Sequence, residues 1–351
     1  MRKLLDSASG FQLDSSMREE QGGARRVDAV WALRSGSDEA RLVIEAKTSI
    51  WPRDVGPVSA RLKASAATLG ADRCVIVAPR VTERTRQLLE RAGVDYIDLR
   101  GEVRLAIPGR LLIVTRGDKE APGDYGPDRS GRIVNPFRGK ASRIVRALLA
   151  DPQRWWGVTE LAARVGVSAG LSVKTLKTLE GNVYVRRDSD RRVTLADGEA
   201  LLRRWAAVTE GAFRNAGRFV SRLPNPDEVT RRLSNRFESL GVRYAVSRLA
   251  AARFIEPYAP ARVVDIYVDR DPGDLARTLG LLPVDRGESV RLVTPSDEGV
   301  FQFSGEHDTV TCVNPVQLFV DLYNGRGREP DVAERLFENR LREALVRRGE
   351  R

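Results

Sequence analysis

Asp28, Glu45 and Lys47 are the residues whose types and spacing could do chemistry. Glu45 and Lys47 stand two apart in Ala40-Arg-Leu-Val-Ile-Glu-Ala-Lys, so strand alternation sends both to one face together with Val43. Leu42, Ile44 and Ala46 take the opposite face. Asp28 lies in the preceding apolar run, Arg26-Val-Asp-Ala-Val-Trp-Ala-Leu, and a turn rich in Gly, Ser and Asp joins the two arms into a β-hairpin. Two carboxylates and an ammonium on such a hairpin can hold a divalent cation against a phosphate. Carboxylate oxygens suit a hard ion such as Mg²⁺ or Mn²⁺, the ion activates a water, and the lysine orients that water. The same spacing also fits three surface charges on a half-exposed strand.

The surrounding pattern must position these groups. Residues 1–20 read as a polar helical lead-in that Gly22 and Gly23 stop. After the hairpin, a helical pattern over 54–69 places Val58, Leu62 and Ala66 on one side, and Arg73-Cys-Val-Ile-Val-Ala is the continuous apolar run of a buried strand. A helix over 82–92 follows, with Thr82 as N-cap and Gly93 as C-cap, then strands over 95–98, 103–107 and 110–114. This order predicts an α/β sandwich around a mixed sheet, with the hairpin at its centre. Residues 117–138, rich in Gly, Pro, Asp and Arg, read as a linker.

From Lys140 the pattern becomes helical. Helices over 140–150, 159–165 and 171–179, followed by strands over 183–185 and 193–195, predict a winged helix-turn-helix closed by a helix over 199–208. Its third helix is expected to turn Ser168, Ser172, Lys174, Thr175, Lys177 and Thr178 outward, with Leu171, Leu176 and Leu179 facing the core. Arg186, Arg187, Arg191 and Arg192 on the wing suit phosphate contacts, and Arg143, Arg146 and Arg164 are expected to extend the footprint. The alternative is a protein-interaction winged helix with a solvated basic face, against which the four wing arginines favour DNA. The remainder reads as mixed α/β, with helices over 226–240, 244–252, 315–322 and 330–348, and strands over 261–268, 290–294, 300–303 and 310–313.

Composition narrows the classes. With 59 Lys+Arg against 48 Asp+Glu the formal charge is +11 and the pI about 10.1, which points to a polyanionic partner, most simply nucleic acid of a kind that charge does not specify; the winged helix makes double-stranded DNA the expected one. No segment approaches the roughly 18 consecutive apolar residues of a membrane span, and the N-terminus lacks a signal-peptide pattern, so a cytoplasmic protein without membrane contact is expected. Cys74 and Cys312 sit in apolar runs and read as buried free thiols. A single histidine, His307 in a polar turn, argues against zinc fingers and Ser-His-Asp catalysis.

Val27-Asp28 with Ile44-Glu45-Ala46-Lys47, followed by the αβαβ order, resembles the motif of PD-(D/E)XK nucleases, the restriction-endonuclease-like fold. The resemblance implies that Asp28 and Glu45 bind Mg²⁺ and that Lys47 activates or positions the attacking water. A glutamate from the preceding helix often completes that site, and Glu20 (or Glu19) fits by position. Val27 stands where the family has proline. Many domains of this fold only bind.

Along the whole length the chain resembles AbiEi antitoxins, the transcriptional-regulator half of type IV toxin–antitoxin systems. Val94-Asp-Tyr-Ile-Asp-Leu-Arg-Gly, Thr159-Glu-Leu-Ala-Ala-Arg-Val-Gly-Val-Ser, Val264-Asp-Ile-Tyr-Val-Asp, Asp297-Glu-Gly-Val-Phe and Asn314-Pro-Val-Gln-Leu-Phe-Val-Asp-Leu carry the likeness. It implies DNA binding, autoregulation and a cognate toxin or defence protein as partner; a homodimer is a further expectation. The C-terminal part is similar to a nucleotidyltransferase-like scaffold but lacks the Gly-Ser loop and Asp-x-Asp pair of that chemistry. Asp265 and Asp269 lie four apart, too far to share a metal easily. The expectation is a multi-domain α/β and α chain. It comprises a restriction-endonuclease-like α/β sandwich (1–116), a linker (117–138), a central winged helix (139–210) and a mixed α/β domain (211–351).

Overall fold

The computed structural model describes residues 12–14, 21–22, 25–35, 38–98, 101–107, 111–115, 134–209 and 211–346. Glu19, Glu20 and most of the expected linker lie outside the described residues. The protein is mixed α/β, and the described residues fall into two compact units, one drawn from 1–124 and 181–183, the other from 125–180 and 184–351. No helix among the described residues is long and apolar enough to cross a membrane.

The first unit is built on a seven-stranded mixed sheet of spatial order β1-β4-β5-β6-β7-β8-β9. Its strands are β1 (Gln12–Asp14), β4 (Ala29–Ser35), β5 (Asp38–Ala46), β6 (Arg73–Ala78), β7 (Asp95–Asp98), β8 (Val103–Ile107) and β9 (Leu111–Thr115). A separate two-stranded ribbon pairs β2 (Gln21–Gly22) with β3 (Arg25–Arg26). Strands β5, β6 and β7 run parallel, and the outer pairings are antiparallel. The expected hairpin exists as β4–β5, with Ala29 opposite Ile44 and Ser35 opposite Asp38. It lies to one side of the sheet. The centre belongs to β6, whose continuous apolar run can be buried on both faces. The helical lead-in is also corrected at Gln12–Asp14. Its polar–apolar–polar alternation has the period of a strand, and Leu13 pairs with Leu33.

Alternation along the strands divides the core in two. One face carries Trp31, Leu33, Leu42, Ile44, Val75, Val77 and Ile97. The other packs Val30, Val43, Ile76 and Tyr96 against Val55, Leu62 and Ala66 of α1 (Val55–Leu69) and Leu89 of α2 (Glu83–Arg91). Thr82 caps α2 by accepting from the Thr85 amide, and α1 ends at Gly70, whose positive φ of 59° suits a left-handed cap. Cys74 and Cys312 are free and buried, as expected.

The second unit begins with α3 (Gly139–Ala150), α4 (Val158–Val165) and α5 (Ala169–Gly181), followed by a hairpin of β10 (Val185–Arg187) and β11 (Val193–Leu195). Trp156 extends this hairpin through a bridge to Val193, and α6 (Gly198–Val208) follows, capped by Asp197. The first hairpin strand starts two residues later than expected, because Val183 takes a left-handed turn (φ 56°).

The rest forms a seven-stranded mixed sheet of order β15-β12-β16-β14-β13-β18-β17. Its strands are β12 (Gly217–Val220), β13 (Tyr244–Ser247), β14 (Val264–Val268), β15 (Leu282–Pro283), β16 (Val290–Val293), β17 (Gly305–His307) and β18 (Val310–Cys312). Around it lie α7 (Pro226–Ser239), α8 (Arg248–Ile255), α9 (Pro272–Leu279), α10 (Pro315–Tyr323), α11 (Glu329–Leu336) and α12 (Arg342–Leu345).

Several expectations are corrected here. Tyr244–Ser247 is strand, and helix begins only at Arg248, since a short buried apolar run has no periodicity that separates the two states. Residues 298–301 form a 3-10 turn capped by Asp297, where a strand was expected from 300. His307 is a half-buried strand residue, not part of a surface turn. One apolar cluster runs from Phe137 and Ile144 through Trp205 and Tyr267 to Leu345, so the three helices and the C-terminal sheet share a core across the expected boundary at 210.

Candidate functional site

Glu45 is the next-to-last residue of β5, and its side chain points to the face covered by α1. It is 3% exposed, which removes the surface-charge reading for this residue. An unpaired carboxylate at such a position costs several kcal/mol of lost hydration. Two cations offset that cost. Lys47 Nζ lies 2.6 Å from Glu45 Oε1, and the Arg61 guanidinium donates to the same oxygen. Lys47 is about a third exposed, and its amide continues the ladder by donating to the Val77 carbonyl (2.8 Å). Asp28, exposed at the foot of β4, accepts from the Ala46 amide at 2.7 Å, directly between Glu45 and Lys47. The three residues singled out by sequence therefore converge at one end of the hairpin.

Arg61 is the member that sequence reasoning missed. Arg61 stands beside the buried Leu62 and four residues before the buried Ser65 on α1, so a lone arginine at the edge of a core-facing row was the available signal.

Among the described residues no group of three His, Cys, Asp or Glu side chains converges as a metal site. Asp28 and Glu45 fit Mg²⁺ in donor type, and the third expected ligand, Glu20, lies outside the described residues. Other buried carboxylates of this unit are structural. Asp95, fully buried, binds Arg73 at 3.0 Å and Arg104 at 2.6 Å, and Asp98 accepts from the Val81 amide at 2.8 Å.

In the second unit, Ser168, Lys174 and Lys177 are exposed on or beside α5. Ser172 and Thr175 are not, which corrects their expected outward placement. Both have no exposed surface; the Ser172 hydroxyl donates to the Val158 carbonyl (3.3 Å), and the Thr175 hydroxyl has no hydrogen-bond partner among the described residues. They follow the row Ser172, Thr175, Leu176, Leu179, whose three-and-four spacing makes it the core face of the helix.

The hairpin arginines divide in the same way. Arg186 is exposed and stacks on Trp155 at 5.4 Å, and Arg191 is exposed at φ 62° without an ion-pair partner among the described residues. Arg187 pairs with Glu180 (3.1 Å), and Arg192 pairs with Asp188 (3.1 Å) and Asp190 (3.4 Å), so part of the basic charge is matched internally. Arg164 is exposed over Phe303. Arg143 is held by Asp297, and Arg146 is 2% exposed, so neither presents an open cation to a polyanion.

Asp265 is buried on β14 between Arg291 (2.6 Å) and Arg248 (3.8 Å). Burial pushes its carboxyl up to about 6, against the lowering pull of the two guanidiniums. Asp269 is less buried, beside Arg270, and shares no metal group with Asp265. No protein-family model matches the chain. No curated protein matches it in sequence.

Proposed function

We propose that this chain binds double-stranded DNA through a winged helix formed by α3–α5 and the β10–β11 wing, and that its first unit is a restriction-endonuclease-like module for phosphodiester hydrolysis. The convergence of Asp28, Glu45 and Lys47 at the end of the β4–β5 hairpin carries the nuclease half of the reading. In it, Asp28 and Glu45 supply oxygen ligands to Mg²⁺ or Mn²⁺ and Lys47 orients the attacking water. The exposed Lys174, Lys177, Arg186 and Arg191 support the DNA half.

One observation favours a second reading. Glu45 is already matched by Lys47 and Arg61, as in a carboxylate kept for structure. The chain would then be an AbiEi-like repressor or antitoxin, with a cognate toxin as partner and the first unit used only for binding.

Supercoiled plasmid incubated with Mg²⁺ or Mn²⁺ separates the two. The nuclease reading expects nicking by the wild type and a loss of at least about 100-fold in Glu45→Gln and Lys47→Ala. Absence of nicking under either metal, with binding to the chain's own upstream DNA tighter than to random duplex at matched salt, selects the repressor. For either reading, Arg191→Ala is expected to weaken duplex binding similarly across sequences and to lower the salt slope by about 1. An unchanged slope would remove the wing from the interface.

A further inference from the structure

Helix α3 buries a guanidinium that no carboxylate contacts directly among the described residues. Arg146 is 2% exposed among the fully buried Ile144, Val145 and Leu148. Its Nη2 donates to Gln317 Oε1 at 2.5 Å, and Gln317 Nε2 donates to Asp321 Oδ1 at 2.8 Å. Asp321 is saturated by neutral donors, the Ser247 hydroxyl at 2.6 Å and the Tyr267 hydroxyl at 3.0 Å from both oxygens, so Arg146 reaches it only through Gln317. The nearby Asp297 is engaged in a two-bond contact with Arg143, at 2.7 and 2.9 Å. Arg146 Nε and Nη1 are left without a hydrogen-bond partner among the described residues. The guanidinium also lies over the Trp205 ring, 5.1 Å from the centroid.

A buried cation with unmatched donors is costly, and water, an ion or a ligand can complete such a group. The space for one is present. Arg146 lines an open cavity of about 350 Å³, within the range of small-molecule sites. Trp205, Val208, Val300 and Val320 give it apolar wall, while Asp297 and Asp321 border it with negative charge. The two bordering carboxylates repel a dianion more strongly than a monoanion, and the apolar wall favours an organic body. Burial lowers the Arg146 pKa only to about 10, so the guanidinium is charged at neutral pH.

We propose that this cavity binds a small organic carboxylate, with its head on Arg146 and its apolar body against Trp205 and the valines. The proposal does not depend on whether the chain cuts or represses DNA. The test is titration of the full chain with benzoate, isobutyrate, inorganic phosphate and chloride at millimolar concentrations, following Tm and tryptophan emission. At least one carboxylate is expected to raise Tm with the logarithm of its concentration, with phosphate and chloride inert at matched ionic strength.

Arg146→Met is expected to weaken that carboxylate at least tenfold while its ligand-free Tm equals or exceeds that of wild type. Val208→Trp keeps Arg146 and fills the cavity, and it too is expected to abolish the response; it carries the test if Arg146→Met does not fold. A flat response to both carboxylates, an equal response in the variants, or a response to phosphate or chloride alone would overturn the assignment.

Discussion

Glu45 in the first unit and Arg146 in the second are buried to the same degree, 3% and 2% exposed, yet their surroundings answer the charge in opposite ways. Glu45 has two cations on one oxygen. Arg146 has one neutral amide oxygen and an aromatic face. Burial costs either ion several kcal/mol, so each arrangement must be completed somehow. The first is complete from within the chain, and a metal or phosphate that engaged Glu45 would have to compete with Lys47 and Arg61. The second leaves Arg146 Nε and Nη1 without a hydrogen-bond partner among the described residues. Convergence of reactive residue types and a buried charge with unmatched donors are thus different signals, and this protein separates them.

The largest expected effect tests the premise that charge matching matters in these interiors. Asp95 is fully buried between Arg73 and Arg104. Asp95→Ala leaves Arg73 without its carboxylate and Arg104 with only the looser Glu90 contact at 3.9 Å, and each keeps some contact with solvent, so a loss of about 3 kcal/mol is expected from urea unfolding. Arg146→Met removes a charge whose hydrogen-bond partner is the neutral Gln317, and without ligand it should cost nothing. If the two substitutions destabilise equally, matched and unmatched charges do not differ here and the comparison fails.

Asp265 sharpens the comparison from a third direction, because its two arginines do not overcome burial. Its folded carboxyl titrates near 6, above the ordinary 3.8, so between these values the folded state holds more protons than the unfolded state. Its contribution to stability is therefore greatest at low pH, falls as pH rises through that window and is flat beyond it. Between pH 4.5 and 7.5 the loss amounts to about 2 kcal/mol. Asp265→Asn should cancel that slope while carrying a constant offset from the unmatched arginines. Unfolding of both proteins at the two pH values checks it, and parallel losses would show that Asp265 stays ionised throughout.

Much of the first unit was legible because its strands are long enough to show a period. Alternation in β5 assigned Glu45 and Lys47 to one face, and the apolar run of β6 announced a strand buried on both sides. The hairpin's off-centre position was not legible, because pairing order is a non-local property that local periodicity does not carry. In the second unit, Tyr244–Ser247 is too short and too uniformly apolar to distinguish strand from helix. Strands β12, β15 and β17 have two to four residues each and give weaker signals still. Residue type misled at Arg146, since an arginine in a basic segment reads as a surface cation until the helix face that carries it is known.

The same failure of residue type governs Ser172 and Thr175, and it yields the smallest effect. As polar residues beside Lys174 and Lys177 they read as part of a DNA-facing surface, yet the helix turns them inward with Leu176 and Leu179. The Thr175 hydroxyl finds no partner there, and a buried, unsatisfied hydroxyl costs about 1 kcal/mol or somewhat more. Thr175→Val keeps the shape and removes that group, so stability should rise by about 1 kcal/mol. Duplex affinity should stay within about twofold of wild type, because the residue does not reach the surface, whereas Lys174→Ala on the exposed face should weaken binding several-fold. Fluorescence anisotropy with one labelled duplex, at one salt concentration, measures all three proteins. Equal weakening by Thr175→Val and Lys174→Ala would mean that α5 meets DNA with the other face.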